Sequence, residues 1–294
     1  MTEYTSFNSY CRREFGCKVY KLALSCSKSC PNRDGKVGIG GCIFCAEGSG
    51  SFAAPYEMPI AEQIEYAKTL VSKKAKNVKY IAYFQAFTST YGDESHIKNC
   101  LLSAAKDEQT VAVSVGTRPD CLPESMLEIL SEVSKIKPVF VELGFQTAQK
   151  KTAELINRCC KTETYTLAAK RLHEMGIKVV FHVILGLPGE TESDMLESVK
   201  KAVEMGADGI KLQLLHILRG TRLAEMYKRG EFRCLELSEY VDILEKCLRL
   251  LPKEVVVHRI TGDGDKKLLL APAWSADKKA VLNLISSRCR PYPD

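Results

Sequence analysis

Four cysteines fall within twenty residues: Cys26, Cys30, Cys42 and Cys45, spaced C-x3-C-x11-C-x2-C. Thiolates are soft ligands, and short cysteine hooks joined by a loop suit two kinds of metal site. One is a tetrahedral zinc site held by four cysteines; the other is an iron–sulfur cluster. The segment between the hooks, Pro31–Gly41, holds Gly35, Gly38, Gly40 and Gly41, so the chain there can wrap closely around a ligand. Spacing alone leaves zinc and iron–sulfur open. Position favours catalysis: the hooks follow directly on an apolar run, Val19–Leu24, whereas a structural zinc more often staples a separate ribbon of short strands. If three thiolates hold a [4Fe–4S] cluster and the fourth is a bystander, one iron stays open to another ligand.

Other polar residues fall where a site would need them. Gln85, Arg118-Pro119-Asp120, Glu142 with Gln146, His182, His216 and His258-Arg259 leading to Asp263 each sit in or just after an apolar run. In parallel α/β folds such positions converge at the C-terminal ends of the strands. The turn Gly186-Leu187-Pro188-Gly189-Glu190 is expected to bring backbone N–H groups near a polar ligand, helped by the helix dipole that follows. It lacks the lysine and the glycine spacing of a phosphate-binding loop.

The elements that must carry these residues alternate. Strand-like runs occur at Val19–Leu24, Tyr80–Phe87, Thr110–Val115, Pro138–Gly144, Lys178–Leu185, Gly209–Leu215 and Glu254–Ile260. Helical patterns lie between most of them. Pro59 opens one whose stripe is Ile60, Ile64, Ala67 and Val71; Thr162 and Gly176 bracket a second; Thr191 with Asp194 caps a third that stops near Gly206. Strand–helix alternation with near-continuous apolar strands means a parallel sheet. The expected fold is one α/β domain, a complete or partial barrel, spanning 1–265 and including the loop 26–45. Residues 266–294, with a helix near Ala276–Ser287, are expected to form a C-terminal helical appendage packed on that core.

Composition bounds the rest. The 294 residues are long enough to bury a core without covalent staples. Thirteen cysteines cannot all pair, and they fall short of the roughly 8–10% typical of disulfide scaffolds. Met1–Cys17 is polar and shows no secretory h-region, and the longest apolar stretch, Val179–Leu187, is broken by His182 and Gly186. That stretch is far shorter than the ~20 residues of a membrane span. A cytoplasmic protein with metal-binding cysteines is expected. The formal charge of +6 permits an anionic partner without requiring one.

The run Cys30-Pro31-Asn32-Arg33-Asp34-Gly35, closing on Gly41-Cys42-Ile43-Phe44-Cys45, resembles the cluster loop of radical SAM enzymes of the YhcC/YtqA type, relatives of the elongator catalytic subunit. Further matches are Tyr83-Phe84-Gln85, Thr117–Asp120, Glu142–Gln146, Ile156-Asn157-Arg158 and His182–Glu190. Gly209–Leu212, Leu215-His216, Gly220-Thr221, His258-Arg259 and Leu270–Trp274 follow in the same order. The resemblance covers about residues 7 to 285. It implies a partial (β/α)6 barrel with short N- and C-terminal extensions, binding a [4Fe–4S] cluster and S-adenosylmethionine. It makes Cys30, Cys42 and Cys45 the cluster ligands and Cys26 the bystander. Gln85, Glu142, Gln146, Arg158 and His182 become the residues that contact S-adenosylmethionine.

Reductive cleavage of S-adenosylmethionine would yield a 5′-deoxyadenosyl radical, with the electron coming from a flavodoxin- or ferredoxin-type donor. The implied substrate is tRNA wobble uridine, converted from the 5-carboxymethylaminomethyl to the 5-aminomethyl form. Lys73, Lys74, Lys76 and Lys79, with Arg12 and Arg13, are then candidates for phosphate contact. Two departures from the family pattern stand out: Cys159-Cys160 follows Asn157-Arg158 where a histidine is common, and Gln213 stands where the family has histidine. The rival readings are a zinc-stapled adaptor using all four of Cys26, Cys30, Cys42 and Cys45, and a radical SAM enzyme with a small-molecule or protein substrate.

Overall fold

The computed structural model describes residues 1–46, 53–71, 78–262 and 264–293. Six strands carry the expected apolar runs: β2 (Val19–Leu24), β3 (Lys79–Phe84), β4 (Thr110–Thr117), β5 (Val139–Gln146), β6 (Lys178–Leu185) and β7 (Gly209–Leu214). They lie in that order in one sheet, every neighbouring pair parallel. Each feeds a helix or helix pair: α2 (Ile60–Val71), α3 (Glu94–Lys106), α4 (Glu124–Ser134), α5 and α6 (Lys150–Leu155, Thr162–Glu174), α7 (Glu192–Glu204), and α8 and α9 (Arg222–Lys228, Leu237–Arg249). These six units form the expected partial (β/α)6 barrel. Thr191 and Asp194 make the expected capping box at the start of α7.

The sheet continues past β7 through β9 (Val256–Arg259), β1 (Thr2–Ser6) and β11 (Cys289–Pro291), reaching nine strands. β1 is not among the expected strands, because Thr2–Ser6 is short and polar. It is held by parallel pairing on both sides, to β9 and to β11. The N-terminal helix α1 (Phe7–Phe15) follows at once, capped by the Ser6 hydroxyl and stopped by Gly16 in the left-handed region. Near the C-terminus, β10 (Leu269–Ala271) pairs antiparallel with β8 (Ile217–Leu218), and α10 (Lys278–Arg288) leads into β11. Residues after 265 therefore contribute a sheet strand as well as a helix.

Strand side chains alternate between two buried faces. The outward set, including Leu22, Phe84, Val113, Val141, Phe181 and Leu212, packs with the helices in the main core. The inward set changes character along the strands. At the strand starts Ile81, Ala112, Phe140, Val180 and Val256 form an apolar floor closed by Tyr10 and Cys11 of α1. Two residues further on, the same face carries Lys21, Tyr83, Ser114, Glu142, His182, Lys211 and His258. Two further still come Gln85, Gly116, Gly144, Ile184 and Gln213, which line an open cavity. The barrel interior thus passes from dry floor through a charged middle to a hollow mouth.

Candidate active site

The cavity at the mouth measures about 190 Å³, and Cys30, Cys42 and Cys45 line it together with Gln85, Glu142, Gln146, Arg158 and His182. Cys26 is elsewhere. It is 2% exposed, packs in the main core, and donates from Sγ to the Ser89 carbonyl at 3.2 Å. Burial pushes its thiol well above the ordinary range, so it stays protonated. Burial also raises Cys42, to about 12, reinforced by Cys45 and Cys30 and opposed by Arg118. Cys45 is raised by burial against the pull of Arg33. Thiols that burial holds protonated need a bound cation to become thiolates.

The loop that carries them is fastened from inside and outside. Cys45 N–H donates to the Cys42 carbonyl at 3.0 Å, and Gly41 N–H to the Asn32 carbonyl at 2.7 Å. The anchor outside is the turn after α5. Asn157 Nδ2 donates to the carbonyls of Gly41 (2.8 Å) and Ile39 (3.2 Å), Asn32 Nδ2 donates to the Asn157 carbonyl (2.6 Å), and Ile43 N–H to that of Ile156 (3.1 Å). Gly38 has to be glycine, because a Cβ there would lie 2.1 Å from Asn32 Oδ1.

Arg158 is nearly enclosed, and four of its donor contacts go to the chain itself. Nη1 reaches the carbonyls of Phe145 (2.8 Å) and Thr147 (2.7 Å), Nε that of Cys160 (3.0 Å), and Nη2 the Thr162 hydroxyl (3.3 Å). Phe145 and Thr147 flank Gln146, whose φ of 61° is in the left-handed region and whose buried Oε1 has no partner among the described residues. Arg158 thereby holds Gln146 in a conformation that costs roughly 1–3 kcal/mol. An acceptor left bare on a cavity wall is where a donor group of a bound ligand fits.

Glu142 is 1% exposed, with both oxygens occupied. Oε1 accepts from Lys21 Nζ (2.8 Å) and Ser114 Oγ (2.7 Å); Oε2 accepts from His182 Nε2 (2.7 Å) and from Lys211 Nζ. Lys211 also donates to Tyr83 Oη at 2.8 Å, and both lysines lie 4.5 Å from the Tyr83 ring centre. Burial would raise the Glu142 carboxyl, but Lys21, Lys211 and the His182 hydrogen bond hold it well below its usual range. His182 is lowered to about 4 by burial and by Lys211, against the pull of Glu142. It is therefore neutral at pH 7, with its proton on Nε2 facing the carboxylate, and Nδ1 is left as an acceptor. His258 closes the layer beneath, its ring 4.1 Å from that of Phe7, and burial lowers it well below its usual range.

The sequence alone gives Lys21, Tyr83, Ser114 and Lys211 no site role, whereas His258 is among the expected rim residues. The signal is present all the same: each lies two residues after an apolar floor residue or the strand start, in phase with Glu142 and His182. Other expected residues lie away from the cavity. Gly186 packs against Leu235, and Glu190 turns to Thr147, its carboxyl raised to about 7 by burial. The turn Gly186–Glu190 does not line the cavity, and the N-terminus of α7 is already closed by its own capping box. His216 accepts from Gly264 N–H at 3.1 Å and holds that loop. Arg13 lines a separate cavity of about 360 Å³ at the barrel floor, and Lys79 is the first residue of β3. Lys73, Lys74, Lys76 and Asp263 lie outside the described residues.

Comparison with known proteins identifies the family. The radical SAM superfamily family model matches residues 26–202, and the radical SAM C-terminal domain matches 207–290. The chain belongs to the radical SAM superfamily. Radical SAM proteins use a [4Fe–4S] cluster and S-adenosylmethionine, and the cavity's donor set fits them: soft thiols beside a bare amide oxygen and a histidine acceptor. The uncharacterized protein YtqA of Bacillus subtilis is 40% identical over 284 residues, covering 96% of this chain and 88% of its own. A tRNA uridine(34) acetyltransferase of Methanocaldococcus jannaschii is 28% identical over 165 residues, covering 55% of this chain and 30% of that relative. The solved structure of Methanocaldococcus infernus Elp3 shares the fold at a TM-score of 0.69 and 20% identity, covering 93% of this chain and 64% of that one. No helix among the described residues is long and apolar enough to cross a membrane.

Proposed function

We propose that this radical SAM enzyme acts on tRNA wobble uridine, converting the 5-carboxymethylaminomethyl to the 5-aminomethyl form. Cys30, Cys42 and Cys45 hold the cluster, and Gln85, Gln146 and His182 meet S-adenosylmethionine. Glu142 and Arg158 act through neighbours: Glu142 fixes the His182 tautomer, and Arg158 holds Gln146. The observation that carries the ligand set is the grouping of three thiols with these residues around one cavity while Cys26 is buried outside it. When bound, the cluster and S-adenosylmethionine supply a hydrogen-abstracting radical, and a flavodoxin- or ferredoxin-type donor supplies the electron. The chain's part is to orient those groups and to keep water from the charged layer below.

Two observations support RNA as the substrate. One relative is named for uridine 34 of tRNA. In addition, cations pair with aromatic rings near the mouth: Arg33 with Phe87 (5.9 Å), Lys28 with Tyr56 (5.5 Å) and Lys36 with Tyr91 (5.4 Å). Basic groups beside aromatic faces suit phosphates and an unstacked base. These pairs replace Arg12, Arg13 and Lys79 as the phosphate-contact candidates, since Arg13 and Lys79 lie at the opposite end of the barrel.

The test compares modified nucleosides in tRNA from cells with and without the gene. Loss should leave 5-carboxymethylaminomethyl uridine to accumulate and the 5-aminomethyl derivatives to disappear. Unchanged wobble uridines would overturn the assignment.

A further inference from the structure

Two residues of the cysteine loop are not thiols, yet each reaches one. Asn32 Nδ2 stands 3.6 Å from Cys42 Sγ, and Arg33 Nη1 stands 3.7 Å from Cys45 Sγ. Both donors are aimed by separate anchors. Asn32 is 0% exposed, and the same Nδ2 is fixed on the Asn157 carbonyl at 2.6 Å. Arg33 Nη1 also donates to the Ala46 carbonyl at 3.2 Å, and its guanidinium lies over Phe87. Gly41, with φ +79°, leaves room for the Arg33 stem: a Cβ there would lie 3.0 Å from Arg33 Cγ.

We propose that Asn32 and Arg33 set the reduction potential of the cluster by donating N–H···S hydrogen bonds to the Cys42 and Cys45 thiolates. The proposal rests on the reading that those two cysteines are ligands. Hydrogen bonds to ligand sulfurs and nearby charge are the protein's main controls over an iron–sulfur potential. One electron passes from a reduced flavodoxin- or ferredoxin-type donor to the cluster, taking [4Fe–4S]2+ to [4Fe–4S]+ while the donor is oxidised by one electron. No bond forms or breaks, and no proton is required. The reduced form carries one more negative charge, so a donor or a cation at the sulfur stabilises it more than the oxidised form. Both residues therefore raise the potential and ease reduction. Arg33 has the larger effect because it carries a full charge, whereas Asn32 contributes a dipole.

The experiment is a spectroelectrochemical titration of anaerobically purified holoenzyme, without substrate, followed by electron paramagnetic resonance. Arg33→Gln should lower the midpoint so that the reduced-to-oxidised ratio at a fixed applied potential falls about tenfold, which is about 59 mV for one electron. Arg33→Lys should recover part of that shift, and Asn32→Asp should lower the midpoint in the same direction as Arg33→Gln. Iron and sulfide per chain should match the wild type in the Arg33 variants. A fully loaded Arg33→Gln enzyme with the wild-type midpoint would overturn the proposal. So would loss of the cluster from both Arg33 variants, because Arg33 would then be holding the loop. Failure of the underlying ligand reading would show separately, as full iron retention in Cys42→Ala or Cys45→Ala.

Discussion

Glu142 is held by Lys21, Lys211, His182 and Ser114, and its role follows from that saturation. Removing one partner of a buried ion pair costs about 3–5 kcal/mol, because the other charge is left buried and unpaired. His182 gives the cluster of charges a pH signature. Its folded pKa of about 4 lies below the ordinary 6.5, so the unfolded chain binds the proton first as pH falls. Stability is accordingly complete above about 6.5 and declines between 6.5 and 4, by about 3 kcal/mol for this residue. The Glu142 carboxyl, depressed in the fold, adds its own loss only below about 4.3. Denaturant unfolding across pH 4 to 7 should show the upper decline in the wild type. His182→Gln should flatten it while keeping a hydrogen-bond donor for Glu142. A variant with the wild-type slope would assign the decline to another group.

At the scale of elements, the turn after α5 and the cysteine loop behave as one unit. Asn157→Ala removes the two side-chain bonds to the Ile39 and Gly41 carbonyls and leaves a left-handed φ of 55° on a residue that tolerates it poorly. The barrel should keep its secondary structure, with a stability loss of about 1–3 kcal/mol, while iron is lost on dilution faster than from wild type. Iron retention equal to wild type would show that the loop stands without its clamp. Phe140→Ala should lower stability more, loosening the floor at a cost of about 3–5 kcal/mol, read by denaturant unfolding.

Which of these elements the sequence discloses follows from burial. Strands β2 to β7 are legible because both faces are covered, so apolar residues dominate each run. β1 is not, because Thr2–Ser6 is mostly half-buried and gains its place from pairing with β9 and β11. Lys21 and Lys211 are hidden for a related reason: a single lysine in a strand reads as a surface residue. Only the shared two-residue phase of seven strands shows that it points inward. The Cys26 side chain could not be sorted from its neighbours by spacing, since its packing in the main core depends on contacts distant in sequence.

The whole molecule separates its tasks along the barrel axis. α1 and the apolar floor close one end, the Glu142 layer fills the middle, and the thiols and cation–aromatic pairs gather at the other. A zinc-stapled adaptor would need Cys26 beside Cys30, Cys42 and Cys45. A radical SAM enzyme needs only the three that share the cavity. Replacing Cys26 and Cys30 separately by alanine tests this most directly, with iron, sulfide and the cluster's absorbance measured on proteins purified without oxygen. Cys26→Ala should keep a full [4Fe–4S] complement, and Cys30→Ala should lose it. Equal loss in both variants, or a colourless wild type carrying a single zinc, would contradict three-cysteine ligation.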